Sequence, residues 1–363
     1  MNKASMKKTS MNKAAMNGPA LNNLCLAIDT TFDDTSLAIL SGRRDILASV
    51  TLSQYADHAE FGGVVPERAS RKHLEVIHPL LDRALAAAGE KAGRPIALED
   101  LSAVAVSNLP GLIGAILVGM TVAKSLAWLL KIPLIGINHI EAHPYANFLV
   151  HGELPFPLVH LVAAGGHTLL ILQQDHFDWE IIGRSVDDAA GECVDKVAKM
   201  FGHPMPGGPV VDRMAMEHAA GPYDFPRPML AAPGLDFSFS GLKTAMMYFL
   251  RDRGGAPPRD EGEAGPVLSA FFAAVSEVLV AKTLRAARQT GVKNITISGG
   301  LAASRALRRN FEAACAEAGL GFFCPPPALC TDNAAMVGCL AAYRLEAGLH
   351  DGLDLEAFPN LPF

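Results

Sequence analysis

The chain has no C-x-x-C pair, no hydrophobic leader and no excess of positive charge. Its six cysteines (Cys25, Cys193, Cys315, Cys324, Cys330, Cys339) follow no framework spacing. That excludes a disulfide scaffold and a thiolate zinc finger, and reads as reduced cytosolic thiols. Cys324 and Cys330 flank Pro325-Pro326-Pro327 and read as structural rather than as metal ligands. The most apolar stretch, Leu112 to Ile137, is interrupted by Lys124 and Lys131. It stays short of the roughly 20 uninterrupted apolar residues a membrane span requires, so no membrane association is expected. Residues 1–23 carry no acidic residue, no arginine and no apolar core. They are not a secretory signal, support a transit peptide only weakly, and are expected to be a disordered leader. The net charge is −6, and the leader's four lysines (Lys3, Lys7, Lys8, Lys13) leave −10 on the rest. A body so acidic does not hold nucleic acid by bulk charge and needs a local basic patch or partner subunits.

What is present is an ordinary globular composition, 50% apolar and 19% charged over 363 residues, long enough for two lobes. Two segments share one layout. Leu24 to Asp29 reads as a buried strand, followed by the polar turn Thr30 to Asp34 and strands over 35–40 and 46–52. Leu158 to Ala163 repeats this with the turn Ala164-Gly165-Gly166-His167 and strands over 168–172 and 179–183. Helical stretches follow, at 71–87 and 189–201. A later strand, Asn294 to Ser298, runs through Gly299-Gly300 into a helix over 304–318. Glycines at such strand-to-helix turns admit phosphate to backbone N–H groups. Three glycine turns (Pro110-Gly111, Gly165-Gly166, Gly299-Gly300) and the duplication predict an α/β chain of the duplicated actin-like ATPase (ASKHA) fold, two lobes around a central cleft. The expected division is a leader over 1–23, a first lobe over 24–150, a second over 151–330, and a C-terminal helix and tail over 331–363 closing back on the first lobe.

The chemistry concentrates in Asn138-His-Ile-Glu-Ala-His143. Histidines four apart on a helix differ by about 400° of rotation and project from one face, within reach of one metal ion. Glu141 sits about 200° round the helix from them. It faces away, unlike the glutamate of a zincin peptidase. Asp332, before an apolar helix, is a good third ligand, although Thr331 or Asp332 could equally be that helix's N-cap. Asp29, Asp33 and Asp34 crowd the end of a buried strand. Asx-type turn bonds account for some of this, and a bound cation would relieve the rest. The acids of Ser185 to Asp195 read partly as first-turn helix acids, and Pro206-Gly207-Gly208-Pro209 with Asp212 reads as a tight, ligand-admitting turn. Asp236 to Thr244 alternates polar and aromatic residues like an edge strand, with Lys243 free to meet a phosphate.

Taken together, Phe61 to Glu67, His139-x-x-x-His143, Ser185 to Glu192, Pro206 to Pro209, Asp236 to Thr244 and Thr331-Asp332-Asn333 closely resemble the TsaD family, over about Leu24 to Gly348. These are tRNA N(6)-adenosine threonylcarbamoyltransferases, formerly described as O-sialoglycoprotein endopeptidases. The resemblance implies one divalent metal, described as iron with zinc as the alternative, on His139, His143 and Asp332. It implies transfer of threonylcarbamoyl from threonylcarbamoyl-AMP to the adenosine 3′ to the anticodon in tRNAs reading ANN codons. The adenylate pocket maps onto Val162, Ala163, Ala164, Gly165, Gly166, Asp195, Gly208, Asp212 and Ser304. Asp33 is the candidate catalytic proton acceptor. The implied partners are tRNA, a TsaB-like paralogue and a TsaE-like ATPase, in the cytoplasm.

Several residues depart from the family pattern. Asp29 and Asp34 stand for Glu, Phe32 for Cys, Leu109 for Gly, Ala164 for Ser and Ser304 for Asn. The last two remove or shorten a polar contact worth about 0.5–1.5 kcal/mol. Two other readings remain: a non-catalytic paralogue that scaffolds a complex, and a metallopeptidase.

Overall fold

The computed structural model describes residues 23–58, 61, 63–258 and 260–360. All of the expected leader except Asn23 lies outside them. Two five-stranded mixed sheets carry the fold. In the first, β1 (Leu24–Asp29), β2 (Asp34–Ser41), β3 (Asp45–Ser53), β4 (Leu101–Leu109) and β5 (Leu134–Asn138) lie in the order β3-β2-β1-β4-β5. In the second, β6 (Leu158–Ala164), β7 (His167–Asp175), β8 (Asp178–Arg184), β9 (Asn294–Ser298) and β10 (Gly321–Phe323) lie in the order β10-β9-β6-β7-β8. The pairing repeats strand for strand. A central strand has an antiparallel hairpin neighbour on one side (Ile28↔Leu37; Val162↔Leu169) and a parallel crossover neighbour on the other (Ile28↔Val106; Val162↔Ser298). The duplicated actin-like architecture expected from the sequence is therefore the architecture found.

The central strands are buried along their whole length, six of six residues in β1 and seven of seven in β6. This explains why they read as continuous apolar runs rather than as alternation. Helices α1 (Tyr55–His58), α2 (Pro66–Ala92) and α3 (Ile113–Leu130) follow in the first half. The crossover helix α4 (His139–His151) and the last helix, α10 (Ala334–Glu346), pack on each other and fill the core beside the first sheet, with Tyr145, Phe148, Met336 and Leu340 buried between them. Ten of the thirteen residues of α10 are buried, so the helix after the Thr331-Asp332 loop is held in one position.

The second sheet is covered by α5 (Ala190–Met200), α6 (Gly208–Glu217), α7 (Ser240–Asp252), α8 (Glu261–Thr290) and α9 (Arg305–Ala318). By length and composition α3 and α8 could each cross a membrane, but α8 is a core helix, 72% buried inside the protein. The expected edge strand at 236–244 is not one. It makes a single bridge, Ser185↔Phe237, and α7 starts at Ser240. Asp187 accepts hydrogen bonds from the backbone N–H groups of Phe239 and Ser240 and from the Ser238 and Ser240 hydroxyls, which bends the segment into a helix start. After α10 the chain straps back over the first sheet. Asp351 bridges Leu134, the Asp351 carboxylate accepts from the Gly136 N–H at 2.7 Å, and Asn108 donates to the Glu356 carbonyl at 3.0 Å.

Candidate metal centre and nucleotide cavity

Helix α4 begins where β5 ends. Asn138 caps it, its side-chain oxygen accepting from the Ile140 N–H at 3.0 Å, and this fixes the first turn that carries His139. His143 follows one turn later on the same face. The two rings meet edge to face, centroids 4.8 Å apart. Asp332 arrives from the loop before α10, its carboxylate 3.6 Å from His139 Nε2 and 3.5 Å from His143 Nε2. One donor atom from each residue falls within 4.8 Å of the others. Asn333 caps α10, accepting from the Met336 N–H at 3.0 Å, so neither Thr331 nor Asp332 is used as a cap.

The residues fit a cation. Both ring nitrogens of His143 are buried and have no hydrogen-bond partner, an expensive arrangement for an imidazole with nothing to bind. Burial pushes the His143 pKa down to about 4, and the charge on His139 adds to this. It is therefore neutral with a free lone pair at ordinary pH, as a metal ligand must be. Burial also opposes charge on His139, but Asp29 and Asp332 override it and hold that imidazole well above its usual pKa. The partly buried Asp332 carboxyl is held far below the usual carboxylate range, chiefly by the His139 charge. Two nitrogens and one carboxylate with an open side suit Fe(II), Zn(II) or Mn(II).

Asp29 is not a loose carboxylate awaiting a cation. It accepts from His139 Nδ1 at 2.7 Å, from the Thr31 N–H at 3.0 Å and from the Thr31 hydroxyl at 2.9 Å. Its charge is satisfied within the protein, and it orients His139 so that Nε2 faces Asp332. Asp34 differs: one of its oxygens is buried without a partner, and burial raises its pKa to about 6. Asp33 also titrates high, from burial first and the Asp332 carboxylate second. It does not line the cavity described next.

A cavity of about 410 Å³ opens beside the histidines, between the two sheets. Thr31, Pro110, Gly111, His139 and Asp332 form one wall, and Ala164, Gly165, Gly166, His167 and Arg184 form the other. Its size suits a nucleotide. The Pro110-Gly111 turn lies directly on the Thr31 carbonyl, where a Cβ at Gly111 would come within 2.3 Å. Only glycine permits that approach.

The remaining expected pocket residues form two separate pairs. Asp195 accepts from the N–H groups of Gly207 and Gly208 at 2.7 and 3.2 Å, holding the Pro206-Pro209 turn. Asp212 accepts from the Ser304 hydroxyl at 2.6 Å and the Ala306 N–H at 3.0 Å, while Ser304 caps α9. Neither pair lines the cavity. Val162 and Ala163 lie behind it, wholly buried in β6. Gly299, with φ 89°, packs its backbone on Ala163, where a Cβ would come within 2.4 Å of the carbonyl, and so joins the Gly299-Ser304 turn to the cavity wall. Lys243 is not free for a phosphate, being ion-paired with Asp188. Sequence reading passed over His167, Arg184, Pro359 and Asn360, which line the cavity. The position of His167 immediately after the glycine pair was the available signal for it. Pro359 and Asn360 reach the cavity only through the C-terminal strap, which leaves no local mark.

Fold and centre together define a protein of actin-like fold that brings two histidines and one aspartate, a set fit to hold a cation, to the cavity between its sheets. Among solved structures, a full-length HypF in a phosphate- and nucleotide-bound form superposes with a TM-score of 0.56 at 14% identity, over 92% of this chain and 57% of that one. Component A of the (R)-2-hydroxyglutaryl-CoA dehydratase of Acidaminococcus fermentans superposes at 0.50 and 12% identity, over 91% and 100%. These likenesses establish the fold alone. Residues 45–339 match the model of TsaD, tRNA N6-adenosine threonylcarbamoyltransferase, and the chain belongs to that family. Relatives bearing that enzyme's name include one from Moorella thermoacetica, 47% identical over 93% of this chain and 96% of its own length. Another, from Pelobacter propionicus, is 46% identical over 92% and 95%.

Proposed function

We propose that the chain modifies tRNA by moving a threonylcarbamoyl group from threonylcarbamoyl-AMP to the exocyclic amine of the adenosine 3′ to the anticodon, in tRNAs reading ANN codons. The observation that carries this reading is a cavity walled by a phosphate-admitting glycine turn on one side and by His139 and Asp332 on the other. The substrate is a mixed carbamic–phosphoric anhydride and is already activated. The protein's task is to hold the adenylate, polarise the carbonyl and orient the attacking amine.

The Ala164-Gly165-Gly166 turn takes the phosphate against its backbone, since no side chain there stands in the way. Asp29 keeps the Nδ1 proton on His139, so a metal would displace only the Nε2 proton, and His139, His143 and Asp332 are the residues that would hold the metal. When bound, a divalent ion there supplies Lewis acidity at the carbonyl oxygen, Fe(II) being our assignment and Zn(II) the alternative. Asp33, which stands off the cavity wall, is the candidate acceptor for the amine proton through one intervening water, as nitrogen bonds to the carbonyl carbon and AMP leaves.

The acidic body calls for partners. The exposed apolar face of α3, with Ile113, Leu117, Trp128 and Leu129 between 43% and 69% exposed, supports docking of a TsaB-like paralogue, with a TsaE-like ATPase joining the complex in the cytoplasm.

Reconstitution tests this. Protein, partners, threonine, bicarbonate, ATP and an ANN-reading tRNA should yield threonylcarbamoyladenosine on nucleoside analysis, with loss in His139→Ala. Absence of product with the unaltered chain would overturn the proposal. It would favour the scaffolding paralogue, a reading to which the commitment of Ser304 to Asp212 lends some support. The peptidase reading has no such support, because Glu141 lies about 200° round α4 from the ligand histidines.

A further inference from the structure

Outside the cavity, two cysteines bracket the loop that delivers Asp332. Cys324 follows β10, and Cys330 ends the short 3-10 turn Pro327–Leu329, two residues before Asp332. Both thiols donate to one acceptor, the Pro325 carbonyl, at 3.6 and 3.5 Å. Cys330 is wholly buried, and Cys324 is open in part to solvent. The other four cysteines are buried.

Arg308 of α9 locks onto the same spot. Its Nε donates to the Ala302 carbonyl at 2.6 Å, and its Nη2 donates to the Pro325 carbonyl at 2.6 Å and lies 3.1 Å from Cys330 Sγ. Cys324 Sγ also approaches the Ala302 carbonyl, at 3.8 Å. The thiol pair thus sits where the Gly299-Ser304 turn meets the Asp332 loop.

The geometry points to Cys324 and Cys330 as a reversible thiol–disulfide pair that controls how firmly Asp332 is held, a regulation that rests on the metal-dependent reading of the site. The oxidant is a peroxide. The accessible Cys324 sulfur attacks one peroxide oxygen, the O–O bond breaks, and water and a sulfenic acid at Cys324 result. The Cys330 sulfur then attacks the Cys324 sulfur and expels the sulfenic oxygen as a second water. Each thiol has given up its proton, the pair has lost two electrons, and the peroxide has been reduced to water. Arg308, resting on Cys330, stabilises the charge that builds on that sulfur as it attacks. Joining the sulfurs shifts the segment that leads into Thr331-Asp332 and breaks the Arg308 contact to Cys330. Both changes disturb the third metal ligand.

The test uses the full chain. After hydrogen peroxide treatment, the protein is unfolded, alkylated and digested with chymotrypsin, which cuts among Phe322, Phe323 and Leu329. A dithiothreitol-reversible link between the Cys324 and Cys330 peptides is expected, with the other four cysteines alkylated and the link absent in Cys324→Ser. In a second arm, chelator-treated protein is titrated with Co(II). Oxidised protein should bind about 10–100-fold more weakly than reduced, the range seen when groups supporting a ligand are lost. Cys324→Ser should bind equally before and after peroxide. Recovery of Cys324 as a free thiol or sulfinic acid without a link would overturn the pairing. A link with unchanged Co(II) affinity would overturn its control of Asp332. Neither readout depends on transfer activity, so failure of the transferase assignment would be seen separately.

Discussion

Asp29→Asn isolates what the carboxylate behind His139 contributes. In the native chain Asp29 accepts a hydrogen bond from His139 Nδ1 at 2.7 Å and is itself fixed by the Thr31 N–H and hydroxyl. An asparagine can keep the Thr31 bonds through its oxygen, but it then turns an N–H toward an imidazole nitrogen that is also donating. The ring escapes that clash by moving its proton to Nε2, the nitrogen the metal needs, or by rotating. Losing a charge-assisted hydrogen bond costs about 1.5–3 kcal/mol. Loss of a carboxylate behind a ligating histidine costs about 10–100-fold in metal affinity, or about 1.4–2.7 kcal/mol. The two estimates agree. Anaerobic titration of chelator-stripped protein with Zn(II) against a competing chromophoric chelator reads this directly. Asp29→Glu, which restores the residue usual at this position by family resemblance, should stay close to the native value. An Asp29→Asn protein that binds Zn(II) as tightly as the native chain would show that the carboxylate is not orienting His139.

Three further outcomes follow from other residues. Asp34 has its pKa raised from 3.8 to about 6 by burial, so its contribution to stability is fully present below about pH 4 and is lost as pH rises through about 6. The shift corresponds to about 3 kcal/mol, which solvent screening reduces to about 2. Asp34→Asn should therefore raise the urea midpoint at about pH 8, with the gain fading toward about pH 4. A gain that does not change with pH would refute the burial argument. Glu141, raised to about 7 by burial, lies about 200° round α4 from the ligand histidines, so Glu141→Gln should retain transfer activity; a collapse of kcat with metal still bound would give it a catalytic role. If a TsaB-like paralogue docks on α3 as proposed, Trp128→Ser with Leu129→Ser should abolish its co-purification while changing the chain's own stability by less than about 0.5 kcal/mol each. An intact complex would move the docking face elsewhere.

How much of this was legible depended on how local the signal was. The strands and glycine turns announced themselves because a strand buried on both faces is almost wholly apolar, as Leu24 to Ile28 is and as Leu158 to Ala163 is apart from His160. His139 and His143 were legible because one helical turn is a fixed offset. Asp332 lies almost 200 residues further on, and no spacing rule could attach it to them. It was recoverable only as a plausible ligand type before a helix, and its competing use as a cap was open until Asn333 proved to hold that position.

The carboxylates of the first turn show the opposite failure. Asp29, Asp33 and Asp34 look alike in sequence, yet the fold gives the first to His139 and Thr31, leaves the third with an unpartnered oxygen, and keeps the second off the cavity wall. Burial and hydrogen-bond partners separate them, and both are properties of the assembled sheet. The same reasoning bears on Ser304. With Ala164, it suggested weaker adenylate binding as a departure from the family, but its hydroxyl caps α9 and ties down Asp212. Its main effect is to brace the turn that Gly299 presses onto Ala163. A substitution that shortens a side chain can thus trade a contact with ligand for rigidity in the wall behind it. Adenylate affinity in Ser304→Asn decides which effect dominates: tighter binding would mean the lost contact mattered more, and weaker binding would mean the brace did.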